Sequence, residues 1–247
     1  MIKGIYASGS GMMPRMVKLE VISNNLANIS TTGFKRDNLF VQILKGTGVA
    51  QAKGGGELSG MDVREYTDFS EGSMNQTGNP LDLAIQGPGF FAAQSPTGVC
   101  YTRNGSFSLS TEGTVVTAQG YPVLGTAGPI QLPDMRKLSQ GDILINESGG
   151  ISVDGKVIAK LRIANFADTS ALKKEAGSYF VSSAQEKGAE ADGKDTIVRQ
   201  GQLEESNVNG IEEMIQMIEL SRSFESAQKS MLYQDGTLEK ALEVGQL

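Results

Sequence analysis

Apolar residues open the chain at Met12, Met16, Leu19, Ile22, Leu26 and Ile29, at intervals of four and three. That spacing lines one face of an α-helix and predicts a helical N-terminal segment. Pro14 is tolerated near the start of such a helix. Gly33, following Ser30-Thr31-Thr32, is placed to cap its end. Asn24, Asn25 and Asn28 are three asparagines within five residues. Asparagine is a poor helix former on an exposed surface, so these side chains are expected to face another polar surface.

The pattern then changes. Gly46 to Gly60 is rich in Gly, Ala and Gln and predicts a flexible loop. From about 81 to 185, short apolar runs alternate with turn signals every eight to twelve residues. Asp154-Gly155, between Ile151-Ser152-Val153 and Val157-Ile158, is the tight-hairpin signal, and the region predicts an antiparallel sandwich or barrel-like domain. After a polar loop over 186–194, helical periodicity returns across 208–245. Met217, Phe224, Met231 and Leu238 fall seven apart, with a companion row at Met214, Ser221, Gln228, Asp235 and Leu242. This reads as a heptad seam with polar layers. A second row, Ile211, Ile215 and Ile218, widens the apolar face.

The expected architecture is therefore α+β: paired long N- and C-terminal helices, coiled-coil-like, with an inserted antiparallel β segment and a β-rich outer domain. Residues 1–35 and 205–247 would form the helical part, 36–80 and 186–204 a connecting extended segment, and 81–185 the β domain. Each terminal helix packing separately on the β core is the alternative, but helices lying on a sheet have no need of a 3.5-residue period, so the spacing favours pairing.

Composition narrows the function. Lys and Arg total 22 against 28 acids, a net charge of −6, which offers no basic footprint for duplex DNA or an anionic membrane. No run approaches the ~18 apolar residues of a membrane span, so no membrane insertion is expected. No basic stretch followed by an apolar run marks a cleavable secretory signal. The absence of histidine removes His-based metal sites and Ser-His-Asp triads. The single cysteine, Cys100, sits between Val99 and Tyr101 and is expected as a buried apolar thiol.

Candidate chemistry is sparse. Gly188 to Lys194 follows a phosphate-loop spacing, but Asp195 stands where Ser or Thr should hold Mg²⁺, and Glu190 and Asp192 would repel phosphate. Gly9-Ser10-Gly11 and Gly87-Pro88-Gly89 do not complete a dinucleotide fingerprint. Asp62, Glu65, Asp68 and Glu71 could in principle offer a carboxylate pair, but a solvated strand edge fits them better. No catalytic residue, cofactor or metal is expected.

Four ordered blocks carry a resemblance. Ser23-Asn24-Asn25-Leu26-Ala27-Asn28-Ile29-Ser30-Thr31-Thr32-Gly33-Phe34-Lys35-Arg36 closely resembles the N-terminal signature of bacterial flagellar rod and hook proteins. Thr77 to Phe91, Tyr101 to Phe107, and Gln200 to Val208 leading into Glu213-Met214 match further blocks of that family. The length fits its two mid-sized rod subunits. Asp37 to Gly46 departs from the aromatic, Gln-rich continuation typical of the distal-rod subunit, which favours the proximal one.

The resemblance implies a non-enzymatic subunit of a helical drive shaft that carries motor torque to the hook. It would leave through the flagellar export apparatus without cleavage and reside in the periplasmic part of the basal body. Its partners would be copies of itself and other axial proteins. The assembly interface would comprise Met12, Met16, Leu19, Ile22, Asn24, Asn25, Leu26 and Asn28 with Ile211, Met214, Ile215, Met217, Ile218, Phe224, Met231 and Leu238. From other classes, the alternatives are a secreted oligomeric binding module and a peptidoglycan hydrolase, for which no catalytic pair is visible.

Overall fold

The computed structural model describes residues 2–44, 60–132, 143–175, 177–182, 189–190 and 196–244. The chain divides into two compact units. The first comprises residues 1–27, 37–68 and 209–247, and the second residues 28–36 and 69–208.

In the first unit, helix α1 (Ile2–Ala27) is followed by strands β1 (Asp37–Leu44) and β2 (Gly60–Thr67), and the unit closes with helix α2 (Gly210–Val244). β1 and β2 pair antiparallel without a register shift, from Asp37 opposite Thr67 to Leu44 opposite Gly60. α1 touches both β1 and α2. α2 starts where it does because Asn209 Oδ1 accepts from Ile211 N at 3.2 Å and Glu212 N at 3.4 Å. These are donors that the first turn leaves orphaned. Glu212 and Glu213 then place negative charge at the positive end of the helix dipole.

The second unit is built from strands. Its largest sheet has six antiparallel strands in the order Leu172–Lys174, Tyr179–Ser182, Gly98–Thr102, Phe90–Ser95, Ile163–Asn165, Ala189–Glu190. Phe90–Ser95 is central and alternates between two apolar layers. Phe90 and Ala92 join Tyr101, Phe166, Leu172 and Phe180, while Phe91 joins Leu83, Ile85, Phe107, Val115 and Ile151. A strand buried on both faces reads as the continuous apolar run Phe90-Phe91-Ala92-Ala93. Rings in both layers meet edge-to-face, with Phe69–Phe90 at 5.4 Å and Phe91–Phe107 at 5.1 Å between centroids. A three-stranded sheet carries the predicted hairpin. Val153 pairs with Lys156, and Asp154 and Gly155 take φ of 51° and 78°, the left-handed pair that such a two-residue turn demands.

The structure corrects the expected fold class. Among the described residues there are nineteen strands and two α-helices, so the fold is β-rich with one helix near each end, and not an α+β fold founded on paired coiled-coil-like helices. The helices do touch, but no long seam is buried between them. Met217, Phe224 and Met231 are only half-buried, and the companions Met214, Gln228 and Asp235 are exposed. The half-buried side of α2 instead runs through Met217, Leu220, Phe224, Ala227, Met231 and Gln234. α1 offers a seven-residue row of its own at Ile5, Met12, Leu19 and Leu26, but Met12, Leu19 and Leu26 are likewise only half-buried, and the helix contains Gly4, Gly9, Gly11 and Pro14. Pro14 lies inside α1 and not at its start, because the helix begins at Ile2. Gly33 does not cap α1, which ends six residues earlier at Ala27. The glycine-rich loop expected over 46–60 and the phosphate-loop-like segment 188–195 lie almost wholly outside the described residues. The exceptions are Gly60, which begins β2, and Ala189–Glu190, which forms an edge strand beside Ala164 and Asn165.

Candidate functional site

α1 and α2 carry most of the residues expected at an interface, and the first unit treats them unequally. Ile22 is enclosed at 2% exposure, Met12, Leu19 and Leu26 are half-buried, and Met16 stands 56% exposed beside Met13 at 71%. On α2, Ile211, Met214, Ile215 and Ile218 are between 47 and 70% exposed. Their spacing of three and four residues makes them one continuous apolar stripe along the helix. Met217, Phe224 and Met231 lie on the half-buried side, and the Leu238 side chain lies outside the described residues.

The three asparagines also separate. Asn25 is 1% exposed, and its Nδ2 donates to Asp37 O at 2.8 Å while its Oδ1 accepts from Asp37 N at 3.0 Å. It thereby satisfies both main-chain groups of the residue that opens β1, a polar contact that justifies an asparagine in a helix. Asn28 is half-buried and accepts from Thr31 Oγ1 at 3.1 Å, and Asn24 is exposed.

In the second unit a charged cluster lies inside the protein. Lys35 and Glu204 have fully enclosed side chains, and Arg103 is nearly so. Lys35 Nζ donates to Glu204 Oε1 at 2.6 Å and to Ser70 O at 2.5 Å. Glu204 Oε1 also accepts from Gly72 N at 3.0 Å, and Glu204 Oε2 faces Arg103 Nη1 at 3.4 Å. Arg103 donates further to Ile85 O at 3.2 Å and Gly87 O at 2.8 Å. Burial lowers the Lys35 and Arg103 pKa values, with the Glu204 charge opposing in both cases. Around the cluster, Lys174 Nζ sits 3.8 Å above the centroid of the Phe34 ring.

The cluster collects residues from all four sequence blocks. Gly33, Phe34 and Lys35 come from the first, Ile85 and Gly87 from the second, Arg103 from the third and Glu204 from the fourth. Each lies in one of those blocks, yet Lys35, Arg103 and Glu204 are not among the expected site residues. Charged side chains default to the surface in any hydropathy reading, and partners separated by 101 and 169 residues leave no local spacing to read. Among the described residues no group of His, Cys, Asp and Glu could hold a metal ion. Cys100 is fully buried, its Sγ donating to Ala93 O, and burial pushes its thiol up to about 11.

Comparison with known proteins matches the chain in three places. A model described as flagella basal body rod protein matches residues 5–35, the flagellar hook protein FlgE/F/G D1 domain matches 84–153, and the flagellar basal body rod FlgEFG protein C-terminal matches 199–244. The flagellar basal-body rod protein FlgF of Rhizobium meliloti is 34% identical over 245 residues, covering 97% of this chain and 96% of the relative. FlgG of Buchnera aphidicola subsp. Schizaphis graminum is 33% identical over 267 residues, with 97% and 98% covered. FlgG of Bacillus subtilis is 32% identical over 261 residues, again with 97% and 98% covered. With strand-built signature blocks in the second unit, terminal helices in the first and relatives aligned along nearly their whole lengths, the chain belongs to the flagellar basal-body rod protein family and is a structural subunit of the rod.

Proposed function

We propose that this subunit occupies the proximal rod, in the manner of FlgF, and joins the shaft through the exposed sides of its terminal helices. The observation that carries the reading is the stripe Ile211, Met214, Ile215 and Ile218. Covering a fully exposed side chain of this size yields about 1.5–3 kcal/mol, so covering four half-exposed ones yields several kcal/mol for the docking of a neighbour. Successive copies or related axial subunits meeting through unlike surfaces extend a helix instead of closing a ring. The subunit acts by binding and carries no catalysis. The flagellar export apparatus delivers it, and it resides in the periplasmic span of the basal body.

Placement in the proximal rod is supported by alignment length. The two FlgG alignments run to 267 and 261 positions, longer than this 247-residue chain, so those relatives carry residues that this chain lacks. The FlgF alignments from Rhizobium meliloti and Caulobacter vibrioides run to 245 and 238.

The test is complementation of strains lacking either rod gene, with the native chain and with the double variant Ile215→Asp/Ile218→Asp. The native chain restores motility only where the proximal subunit is missing. The variant folds as the native chain does but is absent from purified basal bodies. Rescue of the distal-rod deletion would reassign the position, and normal incorporation of the variant would remove the stripe as the contact.

A further inference from the structure

The enclosed cluster holds two cations around one carboxylate, and the three groups come from segments with unequal support. Glu204 belongs to residues 200–208, which are held by the strand framework. Gln202–Glu204 pairs with Met74–Gln76, Gly201 N donates to Asp82 O at 2.8 Å, and Glu205 N donates to Ser73 O at 2.8 Å. Arg103 is anchored on Ile85 O and Gly87 O, also in the framework. Lys35 belongs to residues 28–36, two of whose main-chain anchors lie on the C-terminal segment itself, while Lys35 O also accepts from Lys174 Nζ at 3.4 Å. Gly33 N donates to Glu204 O at 2.7 Å, and Arg36 N donates to Asn207 Oδ1 at 2.8 Å.

The asymmetry sets an order. With Glu204 in place and Lys35 absent, the carboxylate keeps Arg103 and Gly72 N as partners. With Lys35 in place and Glu204 absent, an ammonium and a guanidinium face each other in a site closed to water with the weaker pull of Glu71 left to oppose them, and like charges there repel with little screening. The N-terminal segment would also lose the carbonyl that accepts from Gly33.

We infer that Glu204 is a folding-order lock: residues 28–36 dock only onto a chain whose residues 200–208 are already in place. Residues 28–36 follow directly on α1, and residues 200–208 lead directly into α2. The root of the N-terminal helix is therefore fixed last, after the root of the C-terminal one. The consequence for assembly rests on the rod reading above: a subunit presents both terminal helices from fixed roots only once its C-terminal segment has folded back. The lock itself does not depend on that reading.

Native-state amide exchange on the purified full-length chain tests it without any rod. Glu204→Gln retains the backbone carbonyl and nearly the same shape but removes the charge. It is expected to speed exchange at Gly33, Phe34 and Arg36 by at least about a hundredfold relative to Ala92 and Cys100 in the same molecules. Lys35→Met is expected to leave residues 202–205 within about threefold of the native rates. In the double variant Lys35→Met/Glu204→Gln, removal of the stranded cation is expected to slow exchange of 33–36 at least about tenfold relative to Glu204→Gln alone. That comparison decides the matter if the single variant unfolds broadly. The lock is overturned if Glu204→Gln leaves 33–36 protected, if Lys35→Met releases 202–205 as strongly as 33–36, or if the double variant is no better than Glu204→Gln. Normal basal-body incorporation of the stripe variant would count against the interface reading and leave these rates untouched.

Discussion

Gly33 takes a φ of +66°, and a Cβ built there would lie 2.4 Å from the backbone nitrogen of Asn104. The position excludes a side chain twice over, by conformation and by space. It is glycine because the backbone of the N-terminal segment must close against the turn that carries Arg103. Cys100 illustrates the opposite case, a polarisable group made inert by its surroundings. Its thiol is raised from 9.0 to about 11 by burial first, then by the Glu175 charge. A raised pKa in the fold means that the folded chain favours the protonated thiol. The stabilisation is therefore complete below pH 9 and is lost as pH rises through about 11. At pH 9 the native thiolate fraction falls about fiftyfold below that of the unfolded chain, and burial slows access further. Alkylation of native protein by iodoacetamide at pH 9 should be slower than that of urea-unfolded protein by at least that factor. Equal rates would show Cys100 to be accessible.

α2 shows how far an element can be read from its residues. The seven-residue spacing of Met217, Phe224 and Met231 was legible and marks the half-buried side. The companion row was not, because Met214 looks like a core residue and Glu213 does not. In the protein Met214 is exposed and Glu213 is buried. Hydropathy assigns a side by residue type, whereas burial follows the contacts available to that side. The same limit applies to the strands. The Asp154-Gly155 hairpin was legible because its signal and its consequence are both local. The order of the six-stranded sheet was not, since Gly98–Thr102 pairs with Tyr179–Ser182 from far along the chain. For the candidate site, the blocks around Lys35, Arg103 and Glu204 were visible as motifs, but their meeting point was not. The corrected side of α2 makes a distinct prediction. Leu220→Asp puts a charge on the half-buried side and should destabilise the first unit by about 1–3 kcal/mol, whereas Ile218→Asp should stay within about 0.5 kcal/mol. Urea titration of the helical circular-dichroism signal separates them. Equal midpoints would return the two sides of the helix to equivalence.

For the whole molecule, the distribution of buried apolar side chains sets the unfolding behaviour. The second unit holds all three hydrophobic clusters and every ring–ring contact found among the described residues. In the first unit, Val21 and Ile22 are the buried apolar side chains among the described residues and Asn25 and Glu213 the buried polar ones of α1 and α2, whose other described side chains are half-buried or exposed. A long helix with little apolar cover gains little beyond its own propensity, and helices without tertiary packing are marginal in water. The first unit should therefore open at lower denaturant than the second, in two steps and not one. The probes are separable, because α1 and α2 supply nearly all of the helix, while the chain lacks Trp and its packed aromatic rings lie in the second unit. In a urea titration of the isolated subunit, ellipticity at 222 nm should fall first and the near-ultraviolet aromatic signal should persist to higher urea. This order fits the assembly proposed above, in which the unit left under-buried in the free chain is the one that neighbours would cover. Coincident transitions by both probes would mean that the terminal helices are as well packed as the strands, and the exposed stripe would then lose its energetic reason to seek a partner.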